Sequence, residues 1–388
     1  MSDSAVSSSA VSDASELPAG VERDIVTMKA PGVARAGAGG YPLQGFYTRP
    51  AGTIPKVALI ASHYAVDFSE HYLSALMAER GYGFLGWNTR FRGADHFFDL
   101  GRALVDVGQG VSWLRAHGAE TVVLLGNSGG GSLMAAYNAQ CQADVITESF
   151  GVPLLPEVHE LPPGDLYVSL AAHPGRPEVL TGWLDPSVTD ETDPTSVDSD
   201  LDMYAEGREP PFGEEFVRRY RAGQRARNQR VTDWAKAELA RLNAAGVPDR
   251  LFILPRTWAD LRFVDAALDP SDRPVPYCYR GDPREANRGV TGVGAINTLR
   301  SWLNMWSLET SQARSELHLA RLRVPSLVIQ ASADSGVFPS DADTIFSQIA
   351  AQDKTRTDIK GEHYFRDRPG GRAEVASVIA DWIAPRRG

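Results

Sequence analysis

The chain has 388 residues, 43% of them hydrophobic and 23% charged, with a formal net charge of −10. That length exceeds one typical domain and predicts a sizeable core carrying an insertion or a second domain. The acidic balance argues against nucleic acid as a partner, because phosphate binding needs clustered Lys and Arg. No apolar run approaches the roughly 18 residues that span a bilayer.

The first 20 residues are rich in Ser, Ala and Asp and lack the basic start and apolar centre of a signal peptide. They are expected to form a disordered tail, and the protein is expected to be cytoplasmic. The two cysteines, Cys141 and Cys278, match no metal spacing and read as free thiols of a reducing compartment. "RDIVTMKAP" and "YPLQGFYTRPAG", joined by a Gly-rich turn, predict an antiparallel pair at a sheet edge.

From Lys56 the pattern changes. "KVALIAS", "YGFLGWN" and "TVVLLG" are continuous apolar runs, as expected of strands covered on both faces. Helical spacing separates them: "SEHYLSALMAERG", then "DLGRALVDVGQGVSWLRAHG", whose Leu100, Leu104, Val107, Val111 and Leu114 share one face. "DLYVSLAAH" is a further strand. The alternation predicts an α/β fold with a doubly wound, mostly parallel sheet.

After His173 the rhythm stops. Residues 175–315 hold Pro- and Asp-rich loops, a long polar helical stretch over 214–245, and aromatic segments such as "SWLNMWSLE". The Arg-dense stretch 218–230 reads as a solvated helix face. Strand–helix alternation returns with "VPSLVIQASAD", "TDIKGEHYF" and "RAEVASVIADWIA". The expected organisation is therefore a core of residues 21–174 and 316–388, interrupted by an insertion over 175–315.

The most informative stretch is "TVVLLGNSGGGSLMAAY". In an open parallel sheet, ligands bind beyond the carboxyl ends of the strands. Ser128 stands at such an end, in a G-x-S-x-G turn that lifts the serine hydroxyl clear of the sheet. The P-loop ending Lys-Ser/Thr and the pattern G-x-G-x-x-G are both absent from this turn. A serine hydroxyl needs a base, and the base an orienting acid. His363 in "GEHYF" and Asp334 in "QASADSGVF" each follow a predicted strand, so they reach the same edge. Asp341 is the alternative acid should Asp334 point away.

With "GNSGG", "SADSGV" and "GEHYF" in the order Ser128, Asp334, His363, the chain resembles the α/β-hydrolase superfamily. The resemblance covers about residues 25–173 and 319–385 and puts the insertion in the usual cap position. It implies Ser128 as nucleophile, His363 as general base and then acid, and Asp334 as its orienter. It also implies an oxyanion hole from the N–H of Gly129 and one from the "IASHYAVDF" loop, where Tyr64 replaces a common glycine. Tyr64 and Ala65 are both candidates there, and Ala65 is favoured by position. His63 is expected to order this loop. "NTRFRG" stands where relatives carry an Asp-x-Arg-Gly loop; Arg90 or Arg92 would pack it, or contact a substrate carboxylate. His173 is expected to be structural. Trp302 and Trp306, sharing a helical face with Met305, would line an apolar pocket.

The expected activity is hydrolysis of a carboxylic ester or related acyl bond of a medium-sized hydrophobic small molecule through an acyl-enzyme. No cofactor and no metal is required. A thioesterase, a carbon–carbon bond hydrolase and a non-catalytic ligand-binding protein on this scaffold remain open, and a homo-oligomer is compatible with the sequence.

Overall fold

The computed structural model describes residues 17–32 and 42–387. Residues 1–16 of the expected tail and the Gly-rich turn after "RDIVTMKAP" lie outside the described residues. β1 (Val21–Lys29) and β2 (Pro42–Pro50) pair antiparallel, as their patterns predict. The core then alternates β3 (Val57–His63), α1 (Ser74–Ala78), β4 (Gly83–Asn88), α2 (Leu100–Ala116), β5 (Thr121–Asn127), α3 (Gly130–Gln142) and β6 (Leu166–Leu170).

The chain next leaves the sheet. It forms α4 (Arg176–Trp183), α5 (Glu214–Ala244), β7 (Leu251–Ile253), α6 (Pro283–Arg288), β8 (Ile296–Thr298), α7 (Leu299–Ser301) and α8 (Glu316–Leu319). It re-enters with β9 (Ser326–Ala331), α9 (Pro339–Gln348), β10 (Lys354–Ile359) and α10 (Gly371–Ile383). The large sheet has the order β1-β2-β4-β3-β5-β6-β9-β10, and its pairings from β4 to β10 are all parallel. β7 and β8 pair separately.

The apolar runs do what their composition requires. Every residue of β3, β4, β5, β6 and β9 is buried. Successive residues serve opposite faces: Ala58, Ile60, Val122 and Leu124 pack into one core, Leu59, Ala61, Val123 and Leu125 into the other. α2 is capped by the Asp99 side chain, which accepts from the Arg102 N–H, and its five predicted core positions are all buried.

Three local expectations change. The helix expected over "SEHYLSALMAERG" contracts to α1, because His71 Nδ1 accepts the Leu73 N–H and its ring is tied to Asn127. The Arg-dense part of α5 is not merely a solvated face: Gln224, Arg227 and Asn228 are buried, and Arg221 pairs with buried Asp260. Trp302–Trp306 forms a π-helical turn, so the α-type spacing of Trp302, Met305 and Trp306 does not set their directions.

Candidate active site

The elbow follows from close approach. A Cβ on Gly126 would stand 2.5 Å from the Gly131 Cα, and one on Gly130 would stand 2.3 Å from the Ser62 carbonyl oxygen. Only glycine lets α3 start that near β5 and β3. Between them Ser128 adopts φ 56°, a left-handed conformation that a non-glycine residue holds at a cost of about 1–3 kcal/mol. It is kept there by hydrogen bonds from its N–H to the carbonyls of Leu170 and Ala171, 3.0 and 3.1 Å. Asn127 fixes the strand end, donating to the Leu170 carbonyl at 2.8 Å. Ser128 is half-buried, at the carboxyl end of β5.

Asp334 follows β9 and His363 follows β10, and they are 1% and 2% exposed. His363 Nδ1 donates to Asp334 Oδ2 at 2.5 Å. The other carboxylate oxygen accepts the Gly336 and Val337 N–H groups at 2.9 and 3.0 Å. These bonds leave His363 Nε2 free to face a partner. No hydrogen bond joins Ser128 Oγ to His363 among the described residues, a separation common before substrate draws such groups together. Asp341 instead caps α9, accepting the Phe338 N–H at 2.9 Å, and burial pushes its carboxyl up to about 6.

One member of this group has no signal in the sequence. Tyr279, between α5 and α6, donates its O–H to Asp334 Oδ1 at 2.5 Å and lies 2.9 Å from His363 Nδ1. Burial, and then the Asp334 carboxylate, push its phenol well above the ordinary range, so it remains a donor. The glycine of "SADSGV" makes room for it: a Cβ on Gly336 would stand 2.4 Å from the Tyr279 ring. "PYCYRG" has neither the spacing nor the periodicity that would have marked it.

The early loop is arranged around His63. Its Nδ1 accepts the Ala65 and Val66 N–H groups at 3.4 and 3.3 Å, so the ring proton is on Nε2. Burial, then Arg176 and His363, hold its pKa well below the usual value, which keeps it neutral. The N–H groups of Tyr64 and Gly129 find no acceptor among the described residues. Of the two candidate loop donors, Tyr64 is therefore unengaged and Ala65 is directed at His63. The Tyr64 side chain runs into the core, with its hydroxyl 2.9 Å from Ser132 Oγ.

The remaining candidates separate. Arg90 is closed by buried Asp106 at 2.6 Å, and Arg92 pairs with Asp67. His173 is buried with its ring edge toward Trp183, and burial followed by Arg176 lowers its pKa far below the ordinary one. Trp302 donates to Thr232 on α5, and the Trp306 ring lies 4.5 Å from the Arg176 guanidinium. Two clefts of about 670 and 570 Å³ are found elsewhere, beside Tyr47 and Trp113 and beside Met203 and Phe212; neither borders Ser128 or His363. Among the described residues both cysteines are free, no cluster of His, Cys, Asp or Glu could hold a metal ion, and no helix is long and apolar enough to cross a membrane.

Among solved structures, the alpha/beta hydrolase GrgF from Penicillium sp. sh18 superimposes with a TM-score of 0.51 at 11% identity, over 94% of this chain and 98% of that one. The esterase domain of a Rhodothermus marinus protein gives 0.48 at 14%, over 95% and 100%. Est1E from Butyrivibrio proteoclasticus gives 0.48 at 11%, over 93% and 98%. No family model matches the chain, and no curated protein matches its sequence. The sheet order, the strained elbow and the GrgF superposition define one fold: the chain has the α/β-hydrolase fold that its motifs resemble.

Proposed function

We propose that the protein is a serine hydrolase acting on a carboxylic ester or related acyl compound. The observation that carries this reading is the buried Asp334–His363 hydrogen bond, set at the same sheet edge as the strained Ser128. Ser128 Oγ attacks the carbonyl carbon while His363 Nε2 takes its proton. The developing oxyanion accepts from the free N–H groups of Gly129 and Tyr64. The tetrahedral intermediate collapses to an acyl-enzyme, and the leaving group departs with the proton from His363. Water, deprotonated by His363, then releases the acid and restores Ser128. Asp334 holds the imidazole in the right tautomer throughout.

We also take residues 175–315 as a cap over this edge. Two of its side chains support that reading, since Tyr279 bonds Asp334 and Arg176 reaches Gly129.

The test is Ser128→Ala, assayed on 4-nitrophenyl esters of graded chain length with acyl-CoA thioesters alongside. Turnover should fall by about a million-fold, and labelling by a fluorophosphonate should disappear with it. A folded Ser128→Ala protein that retains several per cent of activity removes Ser128 as nucleophile.

A further inference from the structure

Three arginines are buried in the described chain: Arg176, Arg227 and Arg273. Two are closed by acceptors. Arg227 meets the Glu191 carboxylate and the carbonyls of Asp185, Pro255 and Arg256. Arg273 is surrounded by the carbonyls of Arg262, Asp265, Leu268 and Asp269.

Arg176 differs. It is 9% exposed, its Nε has no hydrogen-bond partner, and its guanidinium joins no salt bridge or hydrogen bond among the described residues. Two aromatic rings lie against it, with the Trp306 and Tyr64 ring centroids 4.5 and 5.4 Å from Cζ. Aromatic faces attract the charge but accept none of its in-plane N–H groups. Glu178, two residues on, is engaged by Arg314. Burial lowers the Arg176 pKa, yet an arginine stays charged. Of its nitrogens only Nε is fully enclosed, so the two Nη groups are the donors open to an incoming acceptor.

Its donors are aimed at the elbow. Arg176 Nη1 lies 2.8 Å from the point where a Cβ on Gly129 would stand, and His63 Nε2 lies 2.7 Å from that same point. Nε2 carries the ring proton, so a cationic and a neutral donor converge beside the residue that follows Ser128. The leaving oxygen must face His363, which protonates it. A group held at Gly129 therefore belongs to the acyl half of the substrate.

We propose that Arg176, assisted by His63, binds a carboxylate on the acyl part of the substrate, a few bonds from the scissile carbonyl, so that half-esters of short dicarboxylic acids are preferred over neutral esters. The proposal rests on the hydrolase reading above and names its substrate class.

The experiment compares 4-nitrophenyl hydrogen glutarate with 4-nitrophenyl pentanoate, similar in size but differing by the carboxylate. Wild-type kcat/KM should favour the charged ester by about ten- to a hundredfold, mainly through KM. In Arg176→Gln that ratio should collapse toward one, and Arg176→Lys should retain part of it. A wild-type enzyme indifferent to the charge, or a ratio unchanged in Arg176→Gln, overturns the proposal. Should Arg176→Gln fail to fold, the Lys variant and ligand binding decide it. Glutarate, but not glutaramide, should raise the melting temperature of the wild type and less so that of Arg176→Lys. Equal shifts by the two ligands, or none, overturn it. Glutarate stabilisation without turnover of either ester or fluorophosphonate labelling would reject the hydrolase reading while keeping the anion site.

Discussion

In the sheet, five strands are buried along their whole length and what they bury is mostly Val, Leu, Ile and Ala. In the segment between β6 and β9 the buried groups include Asp185, Gln224, Arg227, Asn228, Asp260, Asp265, Arg273 and Asn287. Asp185 accepts from Arg256 and Asn287, and Asp260 is held by Arg221 and Arg262. The first region is stabilised by removing apolar area from water, which needs only the right residue type at the right period. The second depends on pairing particular polar atoms far apart in the chain. A buried charge must find its partner there or the segment does not form. The regions should therefore fail differently, and each should affect the site in its own way.

The largest difference is expected in rate. Asp334→Asn keeps the shape of the sheet edge but favours the wrong tautomer of His363. Turnover should drop by about ten-thousand-fold, with the melting temperature near that of wild type. A single-turnover assay beside calorimetry checks both halves. Turnover within tenfold of wild type would show that Asp334 does not orient the base.

Stability should separate the regions next. Asp260→Ala leaves the Arg221 and Arg262 guanidinia facing a void, and breaking such a buried pair costs about 3–5 kcal/mol. Acid probes the same bond without mutation. Burial alone would raise the Asp260 pKa, but Arg221 and Arg262 outweigh it and hold the carboxyl well below the ordinary range. The sign follows from a depressed folded-state value. This contribution is complete above the unfolded pKa of about 3.9 and is lost as pH falls through the folded one. The fluorescence of Trp183 and Trp258, both in this segment, should accordingly report denaturation at lower urea concentration at pH 3 than at pH 6. The shift should shrink in Asp260→Ala. An equal acid shift in the variant would assign the effect to other carboxylates.

The same contrast decides what could be read from the sequence. Strands β3 to β6, β9 and the buried face of α2 were legible because period and composition are local signals. Ser128, Asp334 and His363 were legible as positions because each follows a predicted strand, and the structure sets them after β5, β9 and β10. The Tyr64 and Ala65 donors were not separable, since their N–H directions depend on where the His63 ring turns. The partners of Trp302 and Trp306, Thr232 on α5 and the Arg176 guanidinium, were not legible either, because both lie far off along the chain. Tyr279 and Arg176 were invisible for a stronger reason. Each acts across more than 45 residues of chain, one on Asp334 and one at Gly129, and neither carries a periodic or spacing signal.

Tyr279 joins the two regions, and its loss should have the smallest effect of the three. The hydroxyl donates to Asp334 Oδ1, but that oxygen also accepts two backbone N–H groups, and Oδ2 remains on His363. Tyr279→Phe therefore removes one donor of several without freeing the carboxylate. The ring, packed over Gly336 and edge-on to Trp183, stays in place. A hydrogen bond to a charged group contributes about 1.5–3 kcal/mol, and with the other donors retained the lower end applies, so turnover should fall by about tenfold. The melting temperature should stay near that of wild type, because the ring keeps its place over Gly336. If Tyr279 only fills space against Gly336, the phenylalanine variant will match wild type in rate as well.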